Sequence, residues 1–154
     1  MSKTRLYEAF IERLEIANDA GFHLEACWLA YSIFEDRTAS ILKALGSPAN
    51  NKSLYDKIKY LENLALGKSA LGAYFTYDQR PSVGANGSQK FDVLENLDSW
   101  RNRRNGLIHR MADGQAELAA IDQDVKTLSD ESVALVRAVA AVARRVKKNA
   151  HHLL

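Results

Sequence analysis

Residues 117–146 read ELAAIDQDVKTLSDESVALVRAVAAVARRV, and the spacing of their apolar members decides the fold class. The positions of the repeat alternate in steps of three and four residues: Leu118, Ile121, Val125, Leu128, Ser132, Leu135, Val139, Val142 and Val146. This spacing places one face of an α-helix against a core. We predict one long helix here, with a bend or break expected around Ser129 and Asp130.

Helical spacing also runs through most of the first 65 residues. Residues 3–20 predict an amphipathic helix that ends at Gly21, with four apolar side chains on one side: Leu6, Phe10, Leu14 and Ala17. Residues 23–45 predict a central core helix with a longer stripe: Leu24, Cys27, Trp28, Tyr31, Phe34, Thr38, Ile41, Leu42 and Leu45. Ser53 followed by Asp56 is the acidic variant of a capping box and predicts the start of a shorter helix.

The helical period fails over residues 67–90, which are interrupted by glycine and proline. Three aromatic residues in this stretch lack helical spacing: Tyr74, Phe75 and Tyr77. We predict a long loop here, with at most a short turn of helix, before a helix over about 92–111. No segment predicts a strand. The expected fold is therefore all-α, a single domain over residues 1–154 built as one bundle of about five helices.

The composition is that of an ordinary soluble domain. The chain has 154 residues, of which 47% are hydrophobic, so it can bury a core without metals or disulfides. Its one cysteine, Cys27, lies in an apolar stripe, where a buried structural thiol is expected. The charged first 20 residues do not resemble a signal peptide, and no uncharged run reaches the roughly 20 residues that span a bilayer. We expect a cytoplasmic protein without a membrane partner.

The net charge is only +2, but basic residues are concentrated in two places. One cluster lies in residues 101–110 and consists of Arg101, Arg103, Arg104 and Arg110. The other lies near the end of the long helix and consists of Arg137, Arg144, Arg145, Lys147 and Lys148. For this second cluster we favour the interpretation that cations complement the negative end of a helix dipole.

The helix that carries the first cluster has an arginine in its apolar stripe. That stripe is formed by Leu94, Leu97, Trp100, Leu107 and Met111, and Arg104 occupies the missing position between Trp100 and Leu107. Burying an unpaired guanidinium costs several kcal/mol, so Arg104 requires a partner group or a wet groove. Asn105 and His109 lie to one side of the stripe, one turn apart. Arg104 either forms a structural ion pair with Glu35 of the core helix or belongs to a functional site.

Arg104, Asn105 and His109 form the pattern R-N-x-x-x-H, which resembles the signature of the HEPN superfamily. HEPN proteins are small helical bundles, and many of them are metal-independent ribonucleases. The position of the motif on a late helix, with another long helix after it, is similar to their order of elements. Residues 30–37 resemble the acidic element of an early helix in such bundles, so Glu35 is the candidate acidic partner. HEPN toxins often have a tyrosine two residues after the histidine as an adenylylation target, whereas this chain has Met111.

The resemblance implies a metal-independent endoribonuclease that cleaves single-stranded or loop RNA and acts as a toxin or phage-defence effector. His109 would transfer protons, Arg104 would stabilise charge on phosphate, and Asn105 would orient either group. Three further arginines are candidate RNA-binding residues: Arg101, Arg103 and Arg110. The resemblance also implies a homodimer with a composite site at its interface, and an antitoxin protein as a further partner. We expect neither a metal nor a cofactor, because the four histidines show no ligand spacing.

Two other functions fit the same residues. One is a non-catalytic HEPN module that binds nucleic acid, a nucleotide or a protein partner. The other is a helical interaction protein in which Arg104 and Glu35 form a structural pair.

Overall fold

The computed structural model describes residues 2–79, 89–114 and 117–153, and these are overwhelmingly helical. The elements, in chain order, are α1 (Lys3–Asp19), α2 (His23–Ala44), a short 3-10 helix (Pro48–Asn51), α3 (Leu54–Gly67), α4 (Ser69–Phe75), β1 (Thr76–Gln79), β2 (Gln89–Asp92), α5 (Val93–Asp113) and α6 (Leu118–Leu153). The predicted all-α fold class is confirmed. The segment predicted from 117–146 is a single helix of 36 residues with no break at Ser129 or Asp130.

Local sequence signals set several of the helix boundaries. Gly21 follows α1 with a φ of 82°, and Gly46 follows α2 with a φ of 68°, a backbone region that glycine enters without steric cost. At the start of α3, the Ser53 hydroxyl accepts a hydrogen bond from the Asp56 backbone N–H at 3.2 Å. The same hydroxyl donates to the Asp56 carboxylate at 2.7 Å. The capping interaction predicted from these two residues is therefore confirmed.

The chain packs as two compact units. Unit 1 consists of Met1–Asp36 and Ser99–Ala138, and unit 2 consists of Arg37–Asp98 and Val139–Leu154. Three helices, α2, α5 and α6, contribute residues to both units.

Trp100 of α5 lies at the centre of unit 1 and is fully buried. Its ring meets that of Phe34 edge-on, with 5.0 Å between the ring centroids. Its indole N–H donates to the Leu128 carbonyl oxygen at 3.0 Å, so the polar end of the side chain is satisfied inside the core. Trp100 thereby connects α5 to both α2 and α6 within unit 1.

Unit 2 departs from the sequence prediction between residues 67 and 90. Its described part contains the seven-residue helix α4 and two short strands, whereas the sequence pattern predicts a long loop with at most a short turn of helix. The strands β1 and β2 pair antiparallel, and the rings of Tyr77 and Phe91 pack across them with centroids 5.0 Å apart. A four-residue strand is too short to show a clear alternation of apolar and polar residues. For this reason the sequence pattern does not predict β1 or β2. Residues 80–88 lie outside the described residues.

The predicted core was also wrong at the beginning of α2. Leu24 and Trp28 belong to the predicted apolar stripe, yet they are 57% and 67% exposed, respectively. In contrast, Phe34, Ile41 and Leu42 of the same stripe are fully or almost fully buried. Periodicity shows that apolar residues share one side of a helix, but it does not show how far along the helix that side is covered.

Replacement of Trp100 should reveal how strongly unit 1 depends on it. Trp100→Ala should lower the free energy of unfolding by about 3–5 kcal/mol, because it leaves a large cavity. Trp100→Phe should cost less, on the order of 1–3 kcal/mol, because it mainly leaves the Leu128 carbonyl without its side-chain donor. Urea unfolding followed by circular dichroism measures both. The control Tyr60→Ala, at a half-exposed aromatic residue, should stay within about 1 kcal/mol of the parent. A Trp100→Ala variant as stable as that control would contradict this assignment.

Candidate functional site

The motif residues lie on the unit 1 part of α5 and differ in burial. Arg104 and Asn105 are half-buried, whereas His109 is exposed. Arg104 and His109 are five positions apart, which separates their side chains by about 140° around the helix axis. Within one chain, the two side chains therefore leave α5 on different sides.

Tyr31 of α2 provides the surface on which Arg104 rests. The guanidinium carbon of Arg104 lies 4.2 Å from the centroid of the Tyr31 ring, a close cation–π contact. Nη1 of Arg104 donates a hydrogen bond to Asn105 Oδ1 at 3.2 Å. Stacking and hydrogen bonding together hold the guanidinium at the edge of the packed face of α5. In this structure, Asn105 orients Arg104.

Glu35 belongs to the same cluster through Tyr31. The Tyr31 hydroxyl donates to a Glu35 carboxylate oxygen at 3.1 Å, one helical turn along α2. Partial burial and the Glu35 carboxylate raise the pKa of Tyr31, while the guanidinium groups of Arg104 and Arg101 act in the opposite direction. The tyrosine thus lies between an acidic group and two basic groups, and its phenol stays protonated at neutral pH.

The three arginines proposed for RNA binding point in different directions. Arg101 is half-buried, donates to Asn102 Oδ1 at 2.6 Å and acts on Tyr31 electrostatically. Arg103 forms a double hydrogen-bonded ion pair with Glu131 of α6. Arg110 forms an ion pair with Asp124 of α6. The structure therefore places Arg101 beside Arg104 and ties the other two side chains to α6.

Exposed apolar residues continue the surface that carries Arg104. Within unit 1, α2 and α5 run antiparallel, because Phe34 meets Trp100 and Tyr31 meets Arg104 further along α5. From this register and ideal helix geometry, over about two further turns, we expect two exposed residues of α2 to lie opposite two exposed residues of α5. These four residues are Leu24 and Trp28 of α2, and Ile108 and Met111 of α5.

We call this surface the motif face. It consists of Leu24, Trp28, Tyr31 and Glu35 of α2 together with Arg101, Arg104, Ile108 and Met111 of α5. The four α2 residues lie within about 60° of one another around their helix axis, and the four α5 residues within about 80°. One end of the motif face is apolar, and the other carries Glu35 and the two arginines.

Sequence reasoning missed the role of Tyr31, which was assigned to the core stripe of α2. A tyrosine four residues before a glutamate on one helix face is a usable signal, because its ring can pack while its hydroxyl reaches the carboxylate. The aromatic partner of Arg104 was not visible in the sequence, because it depends on the pairing of α2 with α5.

Cys27 is close to this cluster but is not a candidate nucleophile. It is buried, and its thiol faces the Val125 carbonyl oxygen at 3.9 Å. Burial raises the pKa of Cys27 to about 11, and the opposing effect of Arg104 is smaller. The thiol is therefore protonated and shielded at neutral pH.

The described residues contain no group of three or more His, Cys, Asp or Glu side chains arranged to hold a metal ion. None of the described helices combines the length and apolar character needed to cross a bilayer. Comparisons of the chain with protein-family models, curated proteins and solved structures gave no match.

The burial of Cys27 predicts slow chemical modification. At pH 8, native protein mixed with a maleimide should label far more slowly than protein unfolded in guanidinium, because both thiolate formation and access are suppressed. Mass spectrometry at timed intervals measures the two rates. Equal rates in native and unfolded protein would show that the thiol is neither buried nor protonated as described.

Proposed function

We propose that this protein is a metal-independent endoribonuclease of the HEPN type that acts as a homodimer. The observation that carries the proposal is the motif face. On it, a half-buried arginine stacks on a tyrosine beside an acidic residue, next to exposed apolar side chains. The resemblance of Arg104, Asn105 and His109 to the R-N-x-x-x-H signature supplies the reaction class.

Arg104 is suited to hold the phosphate at the cleavage position. Its bond to Asn105 uses one of five N–H donors of the guanidinium, and a phosphate can take two others in a bidentate pair. Stacking on Tyr31 fixes the plane of the group before the substrate binds, so little reorganisation is needed during the reaction. Arg101 adds a second positive charge on the same face.

His109 is the proposed proton-transfer group. One imidazole removes the proton of the RNA 2′-hydroxyl, whose oxygen attacks the adjacent phosphorus. The new O2′–P bond forms as the P–O5′ bond breaks, and a second imidazole donates a proton to the departing O5′. The products are a 2′,3′-cyclic phosphate and a 5′-hydroxyl. The attack requires a strand that bends freely, which favours single-stranded or loop RNA.

Two copies of the chain are needed to complete this site. A single α5 directs Arg104 and His109 about 140° apart, so one chain is poorly arranged to place both on one phosphate. His109 leaves α5 outside the motif face, so the proposal requires a two-fold axis at which His109 of one chain reaches Arg104 of its partner at the edge of the joined motif faces. The exposed apolar residues of the face supply the contact, since a cluster of large apolar side chains on a surface marks an interaction site.

Two of the predicted RNA contacts are not part of this proposal. Arg103 and Arg110 form ion pairs with Glu131 and Asp124 of α6, whereas Arg101 and Arg104 belong to the motif face, so we assign RNA contact on α5 to Arg101 and Arg104. A role as a toxin or phage-defence effector, with an antitoxin protein as partner, follows from the resemblance and completes the proposal.

RNA cleavage with excess chelator tests the reaction. The parent should cleave unstructured RNA and leave 2′,3′-cyclic phosphate ends, whereas His109→Ala should be slower by roughly 10²–10⁴-fold through loss of general acid–base catalysis. His152→Ala, which removes another exposed histidine, should cleave at the parent rate. The proposal fails if folded, dimeric parent does not cleave, or if the His109→Ala variant cleaves as fast as the parent.

A charge placed on the apolar end of the motif face tests the dimer. Trp28→Glu should convert the protein to a monomer and abolish cleavage, because two carboxylates would be desolvated at the symmetric interface. Leu66→Glu is the matched control, since Leu66 is also a strongly exposed apolar residue but belongs to unit 2. Light scattering coupled to size-exclusion chromatography measures the mass of each variant. A Trp28→Glu protein that remains dimeric and active would exclude the motif face as the interface.

A further inference from the structure

The small net charge of the chain conceals a strong asymmetry between its two units. Unit 2 contains twelve lysine and arginine residues and six aspartate and glutamate residues, a net charge of +6. Unit 1 contains nine basic and thirteen acidic residues, a net charge of −4. The positive charge is therefore concentrated in the unit that does not contain the motif face. Such an asymmetry is typical of proteins that bind a polyanion.

Much of this charge lies on the last part of α6. No acidic residue follows Glu131 in the chain, so the final turns of α6 have no acidic neighbours along the helix. Their exposed side chains are cationic or imidazole groups: Arg144, Arg145, Lys147, Lys148, His151 and His152. Arg144 and Lys148 are one turn apart, about 6 Å along the axis, and lie in one row. We call the row formed by Arg144, Lys148 and His151 the α6 basic face.

The helix dipole does not account for this arrangement. A dipole acts within the last turn of a helix, whereas α6 continues to Leu153, so Arg144 lies more than two turns before its end. A cation from outside α6 already binds the end of this helix, since Lys68 Nζ donates a hydrogen bond to the Leu153 carbonyl oxygen at 3.1 Å. The dipole interpretation favoured from the sequence is therefore insufficient for Arg144.

One basic side chain of this part of α6, Arg145, has a structural role in unit 2. Among the described residues, Arg144 and Lys148 form no hydrogen bond or ion pair through their side chains. Arg145 holds α4, because it donates to the Tyr74 carbonyl oxygen at 2.7 Å and lies over the Tyr74 ring. The acidic residues of unit 2 are largely engaged elsewhere. Asp56 caps α3, Asp92 caps α5, and Glu62 and Asp98 both bind Lys59.

We propose that the α6 basic face, which belongs to unit 2, binds the phosphate backbone of RNA. That the polyanion is RNA rests on the proposed function, whereas the cationic row itself recognises phosphate. A membrane surface is the weaker alternative, because binding to a bilayer requires an available apolar side. The apolar residues of this part of α6 are already buried in unit 2: Val139, Val142, Ala143, Val146 and Leu153.

The salt dependence of RNA binding tests this surface. A fluorescent 30-residue oligouridine is titrated with His109→Ala protein, which preserves the RNA during the measurement, at several salt concentrations. Adding Arg144→Gln and Lys148→Gln should weaken binding and lower the slope of log affinity against log salt by about 1.4, since each neutralised phosphate of a single strand contributes about 0.7. Lys43→Gln with Lys52→Gln is the matched control, because it removes the same charge from exposed positions of unit 2.

The outcomes separate this inference from the proposed function. A reduced slope in the α6 variant and an unchanged slope in the control support the surface, whether or not the parent protein cleaves RNA. An unchanged slope in the α6 variant overturns it, even if the parent cleaves. An equal reduction of the slope in the α6 variant and in the control overturns it as well, because the effect would then depend on net charge and not on the position of the removed charges. Loss of binding to phosphatidylserine vesicles, with RNA binding unaffected, would assign the face to a membrane instead.

Discussion

The contact between the Arg104 guanidinium and the Tyr31 ring is the interaction on which the candidate site depends. An arginine at the edge of a packed helix face needs a partner that is both apolar enough to pack and polar enough to attract a cation. The Tyr31 ring meets both requirements, since its centroid lies 4.2 Å from the guanidinium carbon of Arg104. The Tyr31 hydroxyl donates a hydrogen bond to the Glu35 carboxylate. The two contacts hold the guanidinium of Arg104 on the motif face, to which the exposed Trp28 and Ile108 also belong.

Much of the fold was predictable because its signals are local. The repeat in residues 117–146, the cap at Ser53 and the glycines that end α1 and α2 each act through neighbouring residues. The errors arose where distant packing decides the outcome. Leu24 and Trp28 belong to an apolar stripe, but their exposure depends on whether another element covers that part of α2. The short strands β1 and β2 depend on the pairing of Tyr77 with Phe91, which lie 14 positions apart.

The sequence was sufficient to select the residues of the candidate site, but it predicted only some of the contacts between their side chains. Arg104 stood out because it interrupts an apolar stripe, and Glu35 because it lies on the packing side of α2. Tyr31, which links them, looked like an ordinary core residue. The ion pairs that hold Arg103 and Arg110 against α6 were also hidden, because their carboxylates lie on a different helix. Charge was misleading for a similar reason, since a net value of +2 averages over units of opposite sign.

The central claim is the proposal that two chains joined at their motif faces share one catalytic cleft, and mixed dimers test it most directly. Parent chains are unfolded and refolded together with Arg104→Ala/His109→Ala chains in varying proportions, and RNA cleavage is measured at constant total protein. If the cleft needs both motifs, dimers with one disabled chain are inactive, and the rate falls with the square of the parent fraction. A rate that falls in simple proportion to the parent fraction would mean that each chain cleaves alone, and it would contradict the composite site.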